Sequence, residues 1–133
     1  MLEILKRSPL YPGLLKVYLA LHKTFIWLCW QTFSLCPVQK DKIVLSNFNG
    51  NGFGDNPRYI AEEILRQKLP YRLFWVSERP DPAFPGQLFL VRPNTPAFVY
   101  HMSTASVWID NTRKLYYFKK KKNQTYIQVW HGG

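Results

Sequence analysis

The chain is poor in acidic residues: 8 Asp and Glu stand against 18 Lys and Arg, which gives 133 residues a formal net charge of +10. So large an excess of one sign favours an anionic partner. Nucleic acid, an anionic membrane surface and a polyphosphate-like substrate all satisfy that condition. The shortage of acid therefore fixes the sign of the partner and leaves its class open.

Cysteine is equally scarce, with Cys29 and Cys36 as the two residues of that type. They lie in one apolar stretch, without a further cysteine or the spacing of a metal-binding motif. This excludes a disulfide framework and indicates reduced, packed thiols in a cytosolic setting. We expect neither a metal nor a cofactor.

The sequence also lacks an uninterrupted apolar run long enough to cross a membrane. Residues 14–36 are strongly apolar and aromatic, but Lys16, His22 and Lys23 interrupt them. A spanning helix needs about 20 predominantly apolar residues. A cleaved signal peptide is a poor fit, because no small-residue cleavage site follows Cys36.

Residues 1–38 are therefore predicted to form an amphipathic helical segment that lies in the membrane interface. Its aromatic side chains would reach headgroup depth, and its basic residues would face anionic lipid. The aromatic residues are Phe25, Trp27, Trp30 and Phe33, and the basic ones are Lys6, Arg7, Lys16 and Lys23. The alternative is a core helix that packs against the rest of the protein.

Residues 42–133 alternate strand-like and helix-like stretches, after a short polar linker at residues 39–42. Asn56 is predicted to cap a helix with Pro57 in its first turn, and Thr95 or Asn94 a shorter helix that begins near Pro96. The predicted strands are residues 43–45, 73–76, 88–91, 107–109 and 126–130. Strands joined by crossover helices indicate an α/β fold with a Rossmann-like parallel sheet.

A glycine-rich loop, Gly50-x-Gly52-x-Gly54, follows the first strand and precedes a helix. It departs from the dinucleotide-binding fingerprint because the third glycine comes one residue early and Asp55 takes its place. A strand, loop and helix in this order still direct backbone amides at an anion. The loop is thus either a phosphate or acceptor contact or a plain flexible turn.

Six basic residues and no acid lie between Asn111 and Gly133. They form either a solvated loop or an electrostatic funnel for an anionic polymer, a lipid headgroup or a single-stranded nucleic acid. Residues 110–113 follow a predicted strand, so Asn111 and Arg113 are candidates to face the cleft, with Arg113 on a phosphate.

His131 follows the last predicted strand and precedes Gly132 and Gly133. Alternation directs Ile127 and Val129 to one face of that strand and residues 126, 128 and 130 to the other. The carboxyl ends of parallel strands are where open α/β sheets bind ligands. No serine or cysteine nucleophile, carboxylate pair or metal cluster competes with His131, which we predict to be a general base.

Four motifs in order carry a family resemblance: Gly52-x-Gly54-Asp55-Asn56-Pro57-Arg58-Tyr59-Ile60, Phe74-Trp75-Val76, Trp108-Ile109-Asp110-Asn111-Thr112-Arg113 and Tyr126-Ile127-Gln128-Val129-Trp130-His131-Gly132-Gly133. Over residues 42–133 the chain resembles the N-terminal part of the CDP-glycerol glycerophosphotransferases, the bacterial teichoic-acid polymerases and primases. The resemblance implies the Rossmann-like, acceptor-side N-terminal domain of a GT-B fold, with the C-terminal GT-B domain absent from this piece.

The resemblance also implies a chemistry. His131 would deprotonate an acceptor hydroxyl, which attacks the β-phosphate of CDP-glycerol and expels CMP. The acceptor would be a lipid-linked saccharide or polyol-phosphate polymer at the cytoplasmic face of the bacterial membrane. Gly52, Gly54, Asn56, Arg58, Asn111 and Arg113 are the residues expected to bind acceptor or phosphate.

Because the donor-binding half has no counterpart here, the isolated piece is expected to be inactive. Two rival interpretations stay open. One is a non-enzymatic, membrane-associated module that binds an anionic polymer. The other is a basic nucleic-acid-binding domain, although with the transferase interpretation no nucleic-acid partner is expected.

Overall fold

The computed structural model describes residues 6–7, 9–47, 53–111 and 120–129. Three helices and five strands make up this part of the chain. In order they are α1 (Tyr11–Phe33), β1 (Gln39–Ser46), α2 (Asp55–Arg66), β2 (Arg72–Val76), β3 (Phe89–Val91), α3 (Pro96–Thr104), β4 (Ala105–Asp110) and β5 (Thr125–Gln128).

All five strands are parallel and stand in the order β3-β2-β1-β4-β5. This is the strand order of a Rossmann fold, in which β1 to β3 form the first half of the sheet and β4 and β5 begin the second. The predicted α/β class is therefore confirmed. Strands β2 and β3 extend the sheet on one side of β1, and β4 and β5 extend it on the other, so the strand order switches direction between β1 and β4. In sheets of this kind that switch point opens a crevice at the carboxyl ends of the two strands.

The two faces of the sheet bury separate apolar clusters. On one face α1 and α3 cover Val44, Phe74 and Trp108, and on the other α2 covers Leu45, Trp75 and Ile109. Successive strand residues alternate between these clusters, as the period of a strand requires. Both faces are covered, which explains why the central strands read as continuous apolar runs.

Of the two interpretations of the N-terminal helix, the structure supports the core helix along one side of α1. Ile26 and Trp30 of α1 are 5% and 7% exposed and belong to the first cluster, where Trp30 meets the Trp108 ring edge-on at 6.1 Å. The helix is thus a core element along one side. Within the part of the chain that the structure describes, no helix is long and apolar enough to cross a membrane.

Two local predictions are wrong. The N-cap of α2 is Gly54 and not Asn56, because the helix already begins at Asp55. The backbone of Gly54 is extended, which is the conformation that an N-cap needs. Residues 39–42 are not a linker, since β1 begins at Gln39 and pairs with β4 from there.

The remaining caps and faces agree with the sequence pattern. Thr95 caps α3 by accepting a hydrogen bond from the backbone N–H of Phe98 at 3.2 Å. At the end of β5, Tyr126 packs on the first cluster and Val129 on the second, as the predicted alternation requires.

Candidate functional site

A buried polar cluster lies where β1 and β4 end side by side. Its members are Ser46 and Asn47 from β1 and its continuation, and Asp110 and Asn111 from β4 and its continuation; all four are less than a tenth exposed. Buried polar groups are retained when they hydrogen-bond one another. The switch-point crevice therefore has a polar floor of four side chains, which we name the switch-point cluster.

Two cross-strand hydrogen bonds hold the switch-point cluster together. The Ser46 hydroxyl donates to Asp110 Oδ2 at 2.5 Å, and Asn111 Nδ2 donates to Asn47 Oδ1 at 2.7 Å. The other carboxylate oxygen of Asp110 accepts the backbone N–H of Asn111 at 2.7 Å. Together these bonds fix the directions in which β1 and β4 leave the sheet.

The same cluster is connected to the end of β5. The backbone N–H of Val129 donates to the carbonyl oxygen of Asp110 at 2.8 Å, which continues the β4–β5 ladder beyond Gln128. Asp110 thus contacts both neighbouring strands, β1 through its side chain and β5 through its backbone. Val129 comes two residues before His131 in the sequence.

Gly54 brings the start of α2 against this floor. A Cβ placed on Gly54 would lie 3.4 Å from Asn47 Nδ2, at the near edge of ordinary van der Waals contact. The first N–H groups of a helix carry a partial positive charge and point outward from its N-terminus. The N-terminus of α2 therefore opens beside Asn47, at the same edge as the switch-point cluster.

Apart from Arg58, the predicted site residues divide into two groups. The structure brings Gly54 and Asn111 to the switch-point cluster, and Asn56 to the first turn of α2, where it lines an open groove of about 490 Å³ with Ile60 and Val129. Gly52, Arg113 and His131 lie outside the described residues.

Arg58, another predicted anion-binding residue, already has an acidic partner. Its Nε lies 2.7 Å from Glu62 Oε1 one turn along α2, and its guanidinium stacks 5.0 Å from the centroid of the Phe53 ring. The Glu62 hydrogen bond raises the pKa of Arg58 above its ordinary value. A phosphate at Arg58 would have to compete with Glu62.

Sequence reasoning missed Ser46 and Asn47. The signal was present, because two small polar residues follow the apolar run of β1 directly, and parallel strands end at one edge. What the sequence does not contain is the register that sets Leu45 opposite Ile109 and so brings Ser46 to Asp110.

Two groups with strongly lowered pKa values, Lys42 and His101, lie toward the opposite, amino-terminal edge of the sheet. Lys42 is 1% exposed; its Nζ donates to Thr104 Oγ1 at 2.7 Å and lies 3.1 Å from His101 Nδ1. Burial lowers the pKa of Lys42 to about 8, and burial together with the Lys42 charge lowers the pKa of His101 to about 4. Their distance from the switch point marks them as structural.

The lysines before β5 also lie at that amino-terminal edge. Lys121 Nζ donates to the carbonyl oxygen of Cys36, beyond the end of α1, and Lys120 and Lys122 are exposed. All strands start at this edge, so residues 120–122 stand a full strand length from Asn111. These three lysines therefore lie away from the switch-point cluster, and the solvated loop and the electrostatic funnel both stay predictions; Arg113, Lys114 and Lys119 lie outside the described residues.

Comparison with known proteins identifies relatives of the whole α/β body. Residues 28–133 match the family model described as CDP-Glycerol:Poly(glycerophosphate) glycerophosphotransferase. A teichoic acid poly(glycerol phosphate) polymerase of Staphylococcus epidermidis is 38% identical over 96 residues, 71% of this chain and 13% of its own length. A teichoic acid ribitol-phosphate primase of Bacillus spizizenii is 29% identical over 100 residues, 74% of this chain and 25% of its own.

Solved structures match over more of the chain. The wall teichoic acid polymerase TagF superposes with a TM-score of 0.72 at 31% identity, over 92% of this chain and 31% of its own. A TagF variant soaked with CDPG gives 0.72 at 33% identity, over 81% of this chain and 28% of its own. The chain thus spans less than a third of the length of these relatives.

Proposed function

The chain belongs to the CDP-glycerol:poly(glycerophosphate) glycerophosphotransferase family, and we propose that it is the acceptor-side part of a transferase. The reaction moves glycerol-phosphate, or a related polyol-phosphate, from a CDP-activated donor to a lipid-linked saccharide or polymer. The observation that carries this proposal is the switch-point cluster beside the N-terminus of α2, in a domain with the GT-B type fold of TagF.

The chemistry assigned to this edge is a phosphoryl transfer. His131 acts as the general base and takes the proton of an acceptor hydroxyl. The acceptor oxygen forms a bond to the β-phosphorus of CDP-glycerol as the bond to the bridging oxygen breaks, and CMP leaves with that electron pair. CDP-glycerol as the donor is supported by a related TagF variant whose structure was determined after soaking with CDPG.

The described residues supply position and electrostatics. Backbone amides at the start of α2, around Gly54 and Asn56, favour a phosphate of the growing polymer through the positive end of the helix. The side-chain amide of Asn111 donates to Asn47 Oδ1, which holds it in one orientation at the same edge of the sheet. Together with Gly52, Arg58 and Arg113 these residues form the acceptor-binding set that we propose.

A peripheral location at the cytoplasmic face of the bacterial membrane follows from the same proposal. The acceptor is lipid-linked, so its reactive end stays near the bilayer. Large apolar side chains on α1, among them Leu21, Phe25 and Trp27, are half exposed or more. Helices with an exposed apolar side and basic residues bind anionic membrane surfaces.

A graft tests the transferase directly. This chain would replace the matching segment of the Staphylococcus epidermidis polymerase, and CMP release from CDP-glycerol would be measured with acceptor present. We expect activity in the graft, its loss by at least about a hundredfold in His131→Ala, and none from the 133 residues alone. His22→Ala, a helix-surface histidine, is the matched control. An active His131→Ala graft would remove His131 from the proposal.

A further inference from the structure

Gln124 is a buried amide at the amino end of β5, at the opposite end of the strand from the switch-point cluster. It directly precedes Thr125, the first residue of β5, and is 3% exposed. A buried side-chain amide is costly unless its donors and its acceptor are hydrogen-bonded. The partners of Gln124 therefore show what holds this end of the strand.

The Gln124 side chain is bonded at its nitrogen and at its oxygen. Nε2 donates to the carbonyl oxygens of Met102 at 2.7 Å and Ala105 at 2.8 Å, which uses both of its hydrogens. Oε1 accepts the backbone N–H of Lys121 at 2.8 Å, and the backbone N–H of Gln124 donates to the Lys121 carbonyl oxygen at 3.1 Å. One side chain thus closes the turn before β5 and ties it to α3 and β4. We name these contacts the Gln124 clamp.

The Gln124 clamp is attached where α3 passes directly into β4. Helix α3 ends at Thr104 and β4 begins at Ala105, and Met102 and Ala105 are fully buried. The last carbonyl groups of a helix have no partner within it. The carbonyl of Met102 is one of these, and it accepts both Gln124 Nε2 and the indole N–H of Trp108, at 2.7 Å each. The turn before β5 is therefore fastened to the core.

Strand β5 needs such an anchor because its other contacts are few. It has four residues, three of them exposed, and within the described residues it pairs with β4 alone. A short edge strand with few buried side chains has a weakly specified register. A slip by one residue would move the strand by about 3.3 Å and reverse the faces on which Tyr126 and Val129 lie.

The position of the Gln124 clamp is passed along β5 to the carboxyl edge of the sheet. The β4–β5 pairing is continuous along the strand, and beyond it the Val129 N–H donates to the Asp110 carbonyl oxygen at 2.8 Å. Gln124 and Val129 are separated by about 16 Å of extended chain. His131 follows two residues later, and two residues span at most about 7 Å. Displacing the amino end of β5 therefore displaces the backbone that leads to His131.

We propose that Gln124 is a positioning residue for the transferase reaction. Its amide fixes the height and register of β5, and through the backbone of Val129 it places His131 for proton transfer. The inference rests on the proposed function and deepens it, because it makes the reaction depend on a residue at the amino edge, away from the proposed acceptor-binding set. Misplacing a catalytic group by about 1 Å can slow a reaction by about a hundredfold.

Amide hydrogen exchange of the chain tests the anchor without catalysis. Gln124→Met keeps the length of the side chain and removes its hydrogen bonds, and Gln124→Asn keeps the amide on a shorter side chain. We expect Gln124→Met to speed exchange of the Val129 amide by roughly tenfold, and Gln124→Asn by less. The reference is the Ser77 amide, which donates to the Val91 carbonyl oxygen at 2.9 Å and should exchange as in the parent.

CMP release by the active graft tests the catalytic consequence. Activity is expressed per folded molecule, with the folded fraction measured by circular dichroism. Gln124→Met should lower kcat by roughly ten- to a hundredfold and leave KM for CDP-glycerol unchanged. The matched control is Ser106→Ala, which should keep the parent kcat. The Ser106 hydroxyl donates to the carbonyl oxygens of Lys40 and Lys42, at 2.9 and 3.1 Å, between β4 and β1 and away from β5.

The contrary results separate the inference from the proposed function. A Gln124→Met graft that keeps the parent kcat per folded molecule overturns the inference and leaves the transferase in place. Equal acceleration of exchange at Val129 and Ser77 would show a general loss of stability and also overturns it. If Gln124→Met does not fold, the same criteria apply to Gln124→Asn. A parent graft without activity, or one that stays fully active with His131→Ala, overturns the proposed function and the inference with it.

Discussion

Ser46→Ala removes the hydroxyl that bonds the buried carboxylate of Asp110. The Ser46 Oγ to Asp110 Oδ2 distance is 2.5 Å and both residues are at most 1% exposed. A hydrogen bond to a charged group contributes about 1.5–3 kcal/mol, and a buried acceptor left without its donor costs a similar amount. We therefore expect the free energy of unfolding to fall by about 2–3 kcal/mol.

That loss is large enough to measure by thermal or urea unfolding of the folded chain. With an unfolding entropy of about 2.1 cal/mol/K per residue, the expected fall in Tm is roughly 7–11 °C. The substitution changes little volume, so the loss reports the hydrogen bond rather than a cavity.

Ser103→Ala is the matched control within the same molecule. Ser103 is 2% exposed, and its hydroxyl is the one buried side-chain polar atom without a hydrogen-bond partner in the described part of the chain. Removing it should be neutral or stabilise the protein by up to about 1 kcal/mol. Equal effects of Ser46→Ala and Ser103→Ala would contradict the role assigned to the Ser46–Asp110 bond.

Three further predictions concern the rest of the fold. The pKa of His101 is lowered from 6.5 to about 4, so between these pH values the unfolded chain binds a proton that the folded chain does not. The free energy of unfolding should therefore rise by about 1–2 kcal/mol from pH 4 to pH 6.5. Urea titrations should show this rise in the parent chain and not in His101→Gln. Trp108→Phe loses the indole N–H bond to the Met102 carbonyl oxygen, 2.7 Å long, and leaves a void, for a cost of about 2–4 kcal/mol in the same titration. Gly54→Ala should cost less than about 1 kcal/mol, because the backbone there is extended and the added Cβ meets only the Asn47 side chain; a larger loss would show that α2 approaches β1 more closely.

The elements of this fold were predictable because local patterns specify them. The run around Val44 is too short and too apolar for anything but a buried strand, and Thr95 before Pro96 marks a helix start. The amino-edge position of residues 120–122 follows from the topology, because they precede β5 and all strands of this parallel sheet start at one edge.

The switch-point cluster was predictable only in outline. Asn111 follows an apolar strand, which identifies it as an edge residue, but its partner Asn47 depends on the register of β1 with β4. The burial of Lys42 was not predictable. A lysine at a strand start reads as exposed, and only the packing of α3 places its ammonium against Thr104 and the rings of Phe74 and Tyr100.

The most direct test of the central claim is to map acceptor binding on the isolated chain by NMR. Backbone amide shifts would be followed while a short poly(glycerol phosphate) is added. Binding at the carboxyl edge predicts shifts at Asn47, Gly54 and Asn111, with residues 120–122 unaffected at moderate salt. Shifts confined to residues 120–122, or none at the switch point, would contradict the account.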